Sequence, residues 1–379
     1  MNEEKKDPRM RPRGGGRGPA ERLQDVGVFA EARAQRDVVV RELVDALCSD
    51  RCAGRAAGSA GGRLARELVV SAFEGAGYAP EVQALPAIGG ANVLARLPGR
   101  VPRWVIVAAH YDHVGTVGRA IYRGADDNAA GVAILIETAR ALAADPPHGR
   151  GVLFAAFDAE EPPHFLSGTM GSQHFVDRRT LPPDAIDLMI CMDLVGRPVG
   201  GAAFPAGVRQ TVFALGAEKS AGTAAHVDRL ARAVEGVVVR RIDGEAIPPL
   251  SDYVAFQRRS IPFLFLSNGR GRAYHTPQDT PGTLDFGKMA ATARWLARFV
   301  RETCGRPEPR IAWTGATDDA STLRTLADVA RALEAADPRA GAPRREAEGL
   351  LHACRDGVLP ATRQGELMRL IARMESGLA

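Results

Sequence analysis

Trp104-Val105-Ile106-Val107-Ala108-Ala109-His110-Tyr111-Asp112 decides the fold. A short unbroken apolar run is a strand buried on both faces, as in a parallel sheet covered by helices. This run does not end in a turn signal but in a histidine and a carboxylate. The pattern recurs along the chain. Val152–Phe157 runs into Asp158-Ala159-Glu160-Glu161, Leu188–Met192 into Asp193, and Phe263–Leu266 into a loop ending Tyr274-His275-Thr276-Pro277. Open α/β sheets gather ligands at the carboxyl ends of their strands. Four endings that carry His, Asp or Glu therefore point to one site.

Outward from these strands, Asn92–Leu97 and Val212–Leu215 read as further buried strands, and Gly131–Ala144, Ala221–Val234 and Phe286–Val300 as helices. The alternation predicts an α/β fold with a mixed, mostly parallel central sheet flanked by helices, mixed because some connections are too short for crossover helices. Toward the N-terminus, residues 21–47 read as an amphipathic helix through Val38, Val39, Leu43, Val44 and Leu47. Leu64, Leu68, Val69 and Phe73 mark another, stopped by Gly75 and Gly77. After Cys304-Gly305-Arg306-Pro307 the pattern becomes purely helical. Leu323, Leu326, Val329 and Leu333 form one stripe, and Leu367, Leu370, Ile371 and Met374 another, with a Pro/Gly linker from Asp337 to Pro343. The expected organisation is a basic disordered leader (1–20), a catalytic domain (21–304) and a small C-terminal helical appendage (305–379).

Composition excludes several classes. Of the formal net charge of +4, residues 1–20 supply +3 through Lys5, Lys6, Arg9, Arg11, Arg13 and Arg17 against Glu3, Glu4 and Asp7. The remainder is close to neutral, and aromatics are only 6%, so no nucleic-acid partner is expected. No apolar run reaches the ~18–20 residues of a membrane helix, and the basic start is not followed by an apolar signal region. The five cysteines are odd in number and mostly scattered, as reduced thiols are. Together these features predict a cytoplasmic protein with no membrane partner; oligomeric state is not legible.

The remaining element is Gly124-Ala125-Asp126-Asp127-Asn128-Ala129-Ala130-Gly131. Taken in order with His110-Tyr111-Asp112, Glu160-Glu161, Gly171-Ser172, Met192-Asp193-Leu194, Ser251-Asp252-Tyr253 and Tyr274-His275-Thr276-Pro277, it resembles the co-catalytic zinc aminopeptidases typified by bacterial leucyl aminopeptidase. That family also includes glutamate carboxypeptidase II-like enzymes and glutaminyl cyclases. The resemblance covers roughly residues 40–303, with weaker text at Gly54-Arg55 and Asn92-Val93-Leu94.

The resemblance implies a zinc-peptidase-like fold of the phosphorylase/hydrolase type and hydrolysis of a peptide or small amide substrate. It implies two divalent ions, zinc with manganese or cobalt as substitutes. Asp126 would bridge them, His110 and Asp193 would complete one site, and Glu161 and His275 the other. One imidazole and several oxygen donors per ion suit zinc. Glu160 would be the general base, Asp112 would accept the second imidazole N–H of His110, and Tyr274 would donate to the developing oxyanion. A cis peptide is implied between Asp126 and Asp127. Ser251, Asp252 and Asp279 are supporting candidates. His113 lies offset from the matched ligands, a candidate substrate or outer contact, and His148, His164, His174, His226 and His352 have no matching partner.

The chain departs from the family after Glu161. Gly171 follows it by ten positions, with Pro162-Pro163-His164-Phe165 between, so substrate preference does not transfer. Aminopeptidase activity is the leading expectation. A carboxypeptidase would need cations, which Arg197, Arg209, Arg270 and Arg272 could supply, and a glutaminyl cyclase would use the same residues with one metal. A silent binding protein would be expected to have lost ligands, and here they are intact.

Overall fold

The computed structural model describes residues 40–307 and 310–378. The leader at 1–20 and the part of the expected first helix before residue 40 lie outside them; residues 40–47 are helical. An eight-stranded sheet forms the centre: β1 (Glu81–Leu85), β2 (Gly90–Leu97), β3 (Val101–His110), β6 (Arg150–Phe157), β7 (Ile186–Met192), β8 (Thr211–Leu215), β9 (Val238–Ile242) and β10 (Phe263–Ser267). Their spatial order is β1-β2-β6-β3-β7-β10-β8-β9, and a separate hairpin pairs β4 (Gly115–Val117) with β5 (Ala120–Tyr122). The four central strands β6, β3, β7 and β10 are mutually parallel, while β2 against β6 and β8 against β10 are antiparallel. The sheet is thus mixed and mostly parallel.

The alternation of side chains along β3 explains why it must be central. Val105, Val107 and Ala109 enter one core with α1 (Ala60–Gly75), α2 (Ala130–Ala144) and α5 (Phe286–Cys304). Ile106 and Ala108 enter the opposite core with α3 (Gly171–Asp177) and the short helical turn Tyr253–Gln257. Full burial of each Val or Ile contributes about 1.5–3 kcal/mol, so a polar substitution in this run would destabilise both layers. Helix starts follow local chemistry. Ser59 accepts the Gly62 N–H at 2.9 Å, and Asp285 accepts that of Lys288 at 3.0 Å.

Some elements differ from the sequence reading. The edge strands β1 and β9 were not expected, because half-exposed residues such as Arg240 and Arg241 break their apolar pattern. Helix α4 covers Thr223–Leu230, shorter than Ala221–Val234. Just past its end the Ala231 carbonyl accepts from Val239 N at 2.9 Å, so it does not extend the helix. Within the expected linker at 337–343, Asp337 accepts the Arg339 N–H and a new helix, α7 (Gly341–Leu351), begins. Pro343 fits there because first-turn N–H groups have no intrahelical partner.

The C-terminal helices α6 (Asp319–Glu334), α7 and α8 (Gln364–Leu378) enclose their own core of Leu323, Leu326, Val329, Leu350, Leu367 and Leu370. Val199 and Val208, from the segment after β7, belong to that same core. Among the described residues no helix is long and apolar enough to cross a membrane.

Candidate metal centre

Strand register assembles the site. His110 pairs with Phe157, and Ala109 with Met192, so His110, the Asp158–Glu161 segment and Asp193 leave the sheet side by side. Asp193 N donates to Leu266 O at 3.1 Å, which holds the β7 and β10 ends together. Two groups of potential ligand atoms result, each within 4.8 Å: His110, Asp127 and Asp193, and His113, Asp127, Glu161 and His275. His110 Nε2 lies 3.4 Å from Asp127 Oδ1 and 3.4 Å from Asp193 Oδ1. His275 Nε2 lies 3.1 Å from Asp127 Oδ2 and 3.0 Å from Glu161 Oε2. Asp127 thus spans the two groups, one oxygen facing each.

The shared carboxylate is therefore one residue later than the sequence reading placed it. Asp126 turns away: its Oδ1 accepts the N–H groups of Gly196 (2.7 Å) and Arg197 (3.0 Å). The cis peptide is likewise at Asp127–Asn128, not Asp126–Asp127. Asp279 receives the N–H groups of both Asp126 (2.8 Å) and Asp127 (3.1 Å), and Asn128 Nδ2 donates to Met192 O at 2.8 Å. Two adjacent aspartates are equivalent as text; only the path of the backbone decides which faces inward. His113, read as an outer contact, is inside the second group, with Nδ1 2.7 Å from Glu161 Oε1. Its ring packs where a Cβ on Gly124 would stand 2.5 Å away, and Gly124 has φ +56°, so glycine is required there.

Glu160 Oε2 lies 3.8 Å from His110 Nε2. Asp112 does more than face the imidazole. Its carboxylate accepts Glu160 N (3.0 Å) and Glu161 N (3.2 Å), whereas its main-chain oxygen is the atom 3.3 Å from His110 Nδ1. Tyr274 stacks on His275 with ring centroids 3.9 Å apart. Ala159, Leu194 and His275 all adopt left-handed φ of 51–60°, and such conformations concentrate at functional sites. Ser251 and Asp252 are fully buried beneath the centre. The loop after Glu161 is braced internally: His164 N donates to Glu161 O, and Ser167 Oγ to His164 O.

Electrostatics argue that this arrangement fits cations. Asp112, Asp127, Glu160, Glu161, Asp193 and Asp252 are all buried. Burial pushes Glu160 well above the usual carboxylate range, assisted by Asp193, Asp252 and Glu161 and opposed by His110. Burial likewise raises Asp193 to about 6 and Asp252 to about 7. For Asp127 burial is outweighed by His113, His110 and His275, which hold it well below that range. For His275 burial is outweighed by Asp127 and Glu161, which raise it to about 10. His110 Nε2 and Asp193 Oδ1, which face each other in the first group, are buried without a hydrogen-bond partner among the described residues. Buried carboxylates and an unpaired imidazole nitrogen are the donors a divalent ion requires, and their mixture suits zinc.

Fold and site together define a metal-dependent hydrolase. The chain belongs to Peptidase family M28, whose model it matches over residues 92–300, and with that family it is a metallopeptidase. It is 27% identical over 246 residues to the uncharacterized protein YfbL of Escherichia coli (strain K12), covering 59% of this chain and 75% of that one. It is 25% identical over 226 residues to leucine aminopeptidase 1 of Ajellomyces capsulatus (strain H88), covering 56% of each chain. The chain thus spans little more than half the length of that aminopeptidase. Among solved structures, the Legionella pneumophila LapA aminopeptidase superposes with a TM-score of 0.58 at 17% identity, covering 74% of this chain and 76% of that one. The Porphyromonas gingivalis glutaminyl cyclase superposes with a TM-score of 0.55 at 20% identity, covering 70% and 98%. Both similarities bear on the fold.

Proposed function

We propose that the chain is an aminopeptidase that removes N-terminal residues from peptides with two divalent ions, zinc by preference, and with Glu160 as general base. The observation that carries this reading is the position of Asp127, one carboxylate oxygen toward His110 and the other toward His275. His110, Asp127 and Asp193 would hold one ion; Asp127, Glu161 and His275, with His113 beside them, would hold the other. When bound, the ions polarise the scissile carbonyl and acidify water.

The protein's own residues account for the rest. Glu160 accepts a proton from the attacking water and returns it to the leaving amine. Asp112 holds the Glu160 and Glu161 backbone in place from two N–H groups. Tyr274, stacked on His275, offers its hydroxyl to the carbonyl oxygen as negative charge develops there. The carboxylates around the centre favour a substrate's ammonium group over its carboxylate. Two cations that a carboxypeptidase would need are already engaged: Arg197 donates to Asn268 O and Gly269 O, and Arg270 to Glu375.

The test compares free and N-acetylated peptides on full-length protein, alongside elemental analysis. Expected are up to two divalent ions per chain, cleavage only with a free N-terminus, and loss of about 10²–10⁴ of turnover in Glu160→Gln with metal retained. Equal cleavage of acetylated peptides, or near-wild-type turnover in Glu160→Gln, would overturn the reading.

A further inference from the structure

Arg55 is fully buried, yet among the described residues it makes no ion pair. Its guanidinium meets five main-chain carbonyls instead. Nε donates to Tyr111 O (2.8 Å), Nη1 to Leu47 O (3.2 Å) and to Arg123 O, and Nη2 to Gly124 O (2.9 Å) and Asp127 O (3.3 Å). A guanidinium has five N–H donors in a fixed fork, and all five are used. Arg55's own carbonyl also accepts His113 N at 3.4 Å. Every segment held in this way except Leu47 either carries or adjoins a candidate ligand: Tyr111 lies between His110 and Asp112, and Gly124 leads into Asp127.

The backbone goes to some length to deliver this side chain. Ala53, Gly54 and Arg55 are successive left-handed residues, with φ of 45°, 73° and 56°. For the non-glycine members this conformation costs of order 1–3 kcal/mol each. Gly54 passes so close to the β4–β5 hairpin that a Cβ would stand 2.2 Å from Gly115 O and 2.5 Å from Tyr122 O. Arg55 lies outside residues 92–300, the part matched to the family.

We infer that Arg55 is a positioning residue for the metal centre, fixing the main chain at 111–113 and 123–127 so that His110, His113 and Asp127 converge. It touches neither substrate nor any reacting atom. Lysine cannot replace it, because an ammonium has three donors and no planar fork. The geometric claim stands without the proposed activity; only its consequence for metal affinity rests on that reading.

The test uses full-length Arg55→Lys and Arg55→Ala. In metal-free protein, hydrogen exchange should accelerate at 111–113 and 124–128 while the amides of β6 and β7 keep their protection. Zinc affinity by chelator competition should fall about 10–100-fold, the usual effect of losing a group that orients ligands. In Arg55→Ala, added guanidinium should restore part of both, and methylammonium should not. A global loss of protection in Arg55→Lys would make Arg55 a general folding residue and overturn the inference. So would unchanged exchange at the two segments. Unchanged exchange would refute the geometry, whereas local loosening in a protein whose wild type binds no zinc would refute the proposed function alone.

Discussion

The carboxylate of Asp112 accepts the backbone N–H of Glu160 at 3.0 Å, so the candidate base is held through its main chain by the segment that carries His110. The second oxygen does the same for Glu161 at 3.2 Å. An asparagine would keep one acceptor and turn an amide NH₂ toward the other N–H. Asp112→Asn should therefore lower kcat by about 10–100-fold with a smaller change in KM, read from steady-state kinetics on a free-amine substrate. A variant with unchanged kcat would show that this brace is dispensable.

Asp126 and Asp127 make opposite predictions. Asp127→Asn removes charge from both candidate ligand groups, so bound zinc per chain should fall and turnover with it. Asp126→Asn alters a carboxylate that accepts Gly196 N and Arg197 N, so it should keep the metal and lose only the strength of those charge-assisted bonds, about 1–2 kcal/mol of stability. Elemental analysis of both variants decides. Metal loss confined to Asp126→Asn would reverse the assignment.

The difference between those two residues shows what was legible in the chain. The central strands were, because Val105–Ala109 and Val152–Phe157 are continuously apolar and lead straight into His110 and Glu160-Glu161. The edge strands were not, because half their residues face solvent and mix charge with valine, as in Val238–Ile242. His110, Glu161, Asp193 and His275, which the structure brings into the two candidate ligand groups, stand out by their order along the chain. The inward aspartate does not, since neighbouring side chains diverge and only the path through Gly124 and Asn128 determines which turns in. Arg55 showed in the text beside Gly54, but its role did not, because its partners are carbonyls that every residue possesses.

Glu218 provides a test far from the metal centre. It is buried beside Asp243; Oε1 accepts Gly244 N at 2.8 Å, and Oε2 has no hydrogen-bond partner among the described residues. Burial, with a further contribution from Asp243, pushes its carboxyl from 4.5 up to about 7. The folded state then holds the proton more tightly than the unfolded one, so stability should fall as pH rises from about 4.5 to about 7. Glu218→Gln lacks this titration. Between pH 5 and pH 8 the wild type should lose about 1–3 kcal/mol more than the variant, measured by urea unfolding at each pH. Parallel pH profiles would contradict the shift.

Leu370 tests whether the C-terminal helices fold with the catalytic sheet. It is fully buried in a core that includes Val199 and Val208, from the segment that follows Asp193. Two polar contacts reinforce that junction: Gly200 N donates to Leu378 O at 3.0 Å, and Arg270 donates to both Glu375 oxygens at 3.0 and 3.2 Å. Arg270 precedes Tyr274 and His275 by a few residues, so the last helix braces the loop that follows Asp193 and the loop that leads into His275. The Arg270–Glu375 pair is half-exposed and contributes little by itself; the shared apolar core is the dominant link. Leu370→Ala should therefore cost about 2–5 kcal/mol and shift a single transition seen equally by far-ultraviolet circular dichroism and by tryptophan fluorescence, whose sources Trp104, Trp295 and Trp313 all pack in the two cores beside the sheet. An early helical transition that leaves the fluorescence unchanged would mean that the helices melt independently of the site. A shared transition would mean that the geometry around Asp193 and His275 depends on residues beyond the family match.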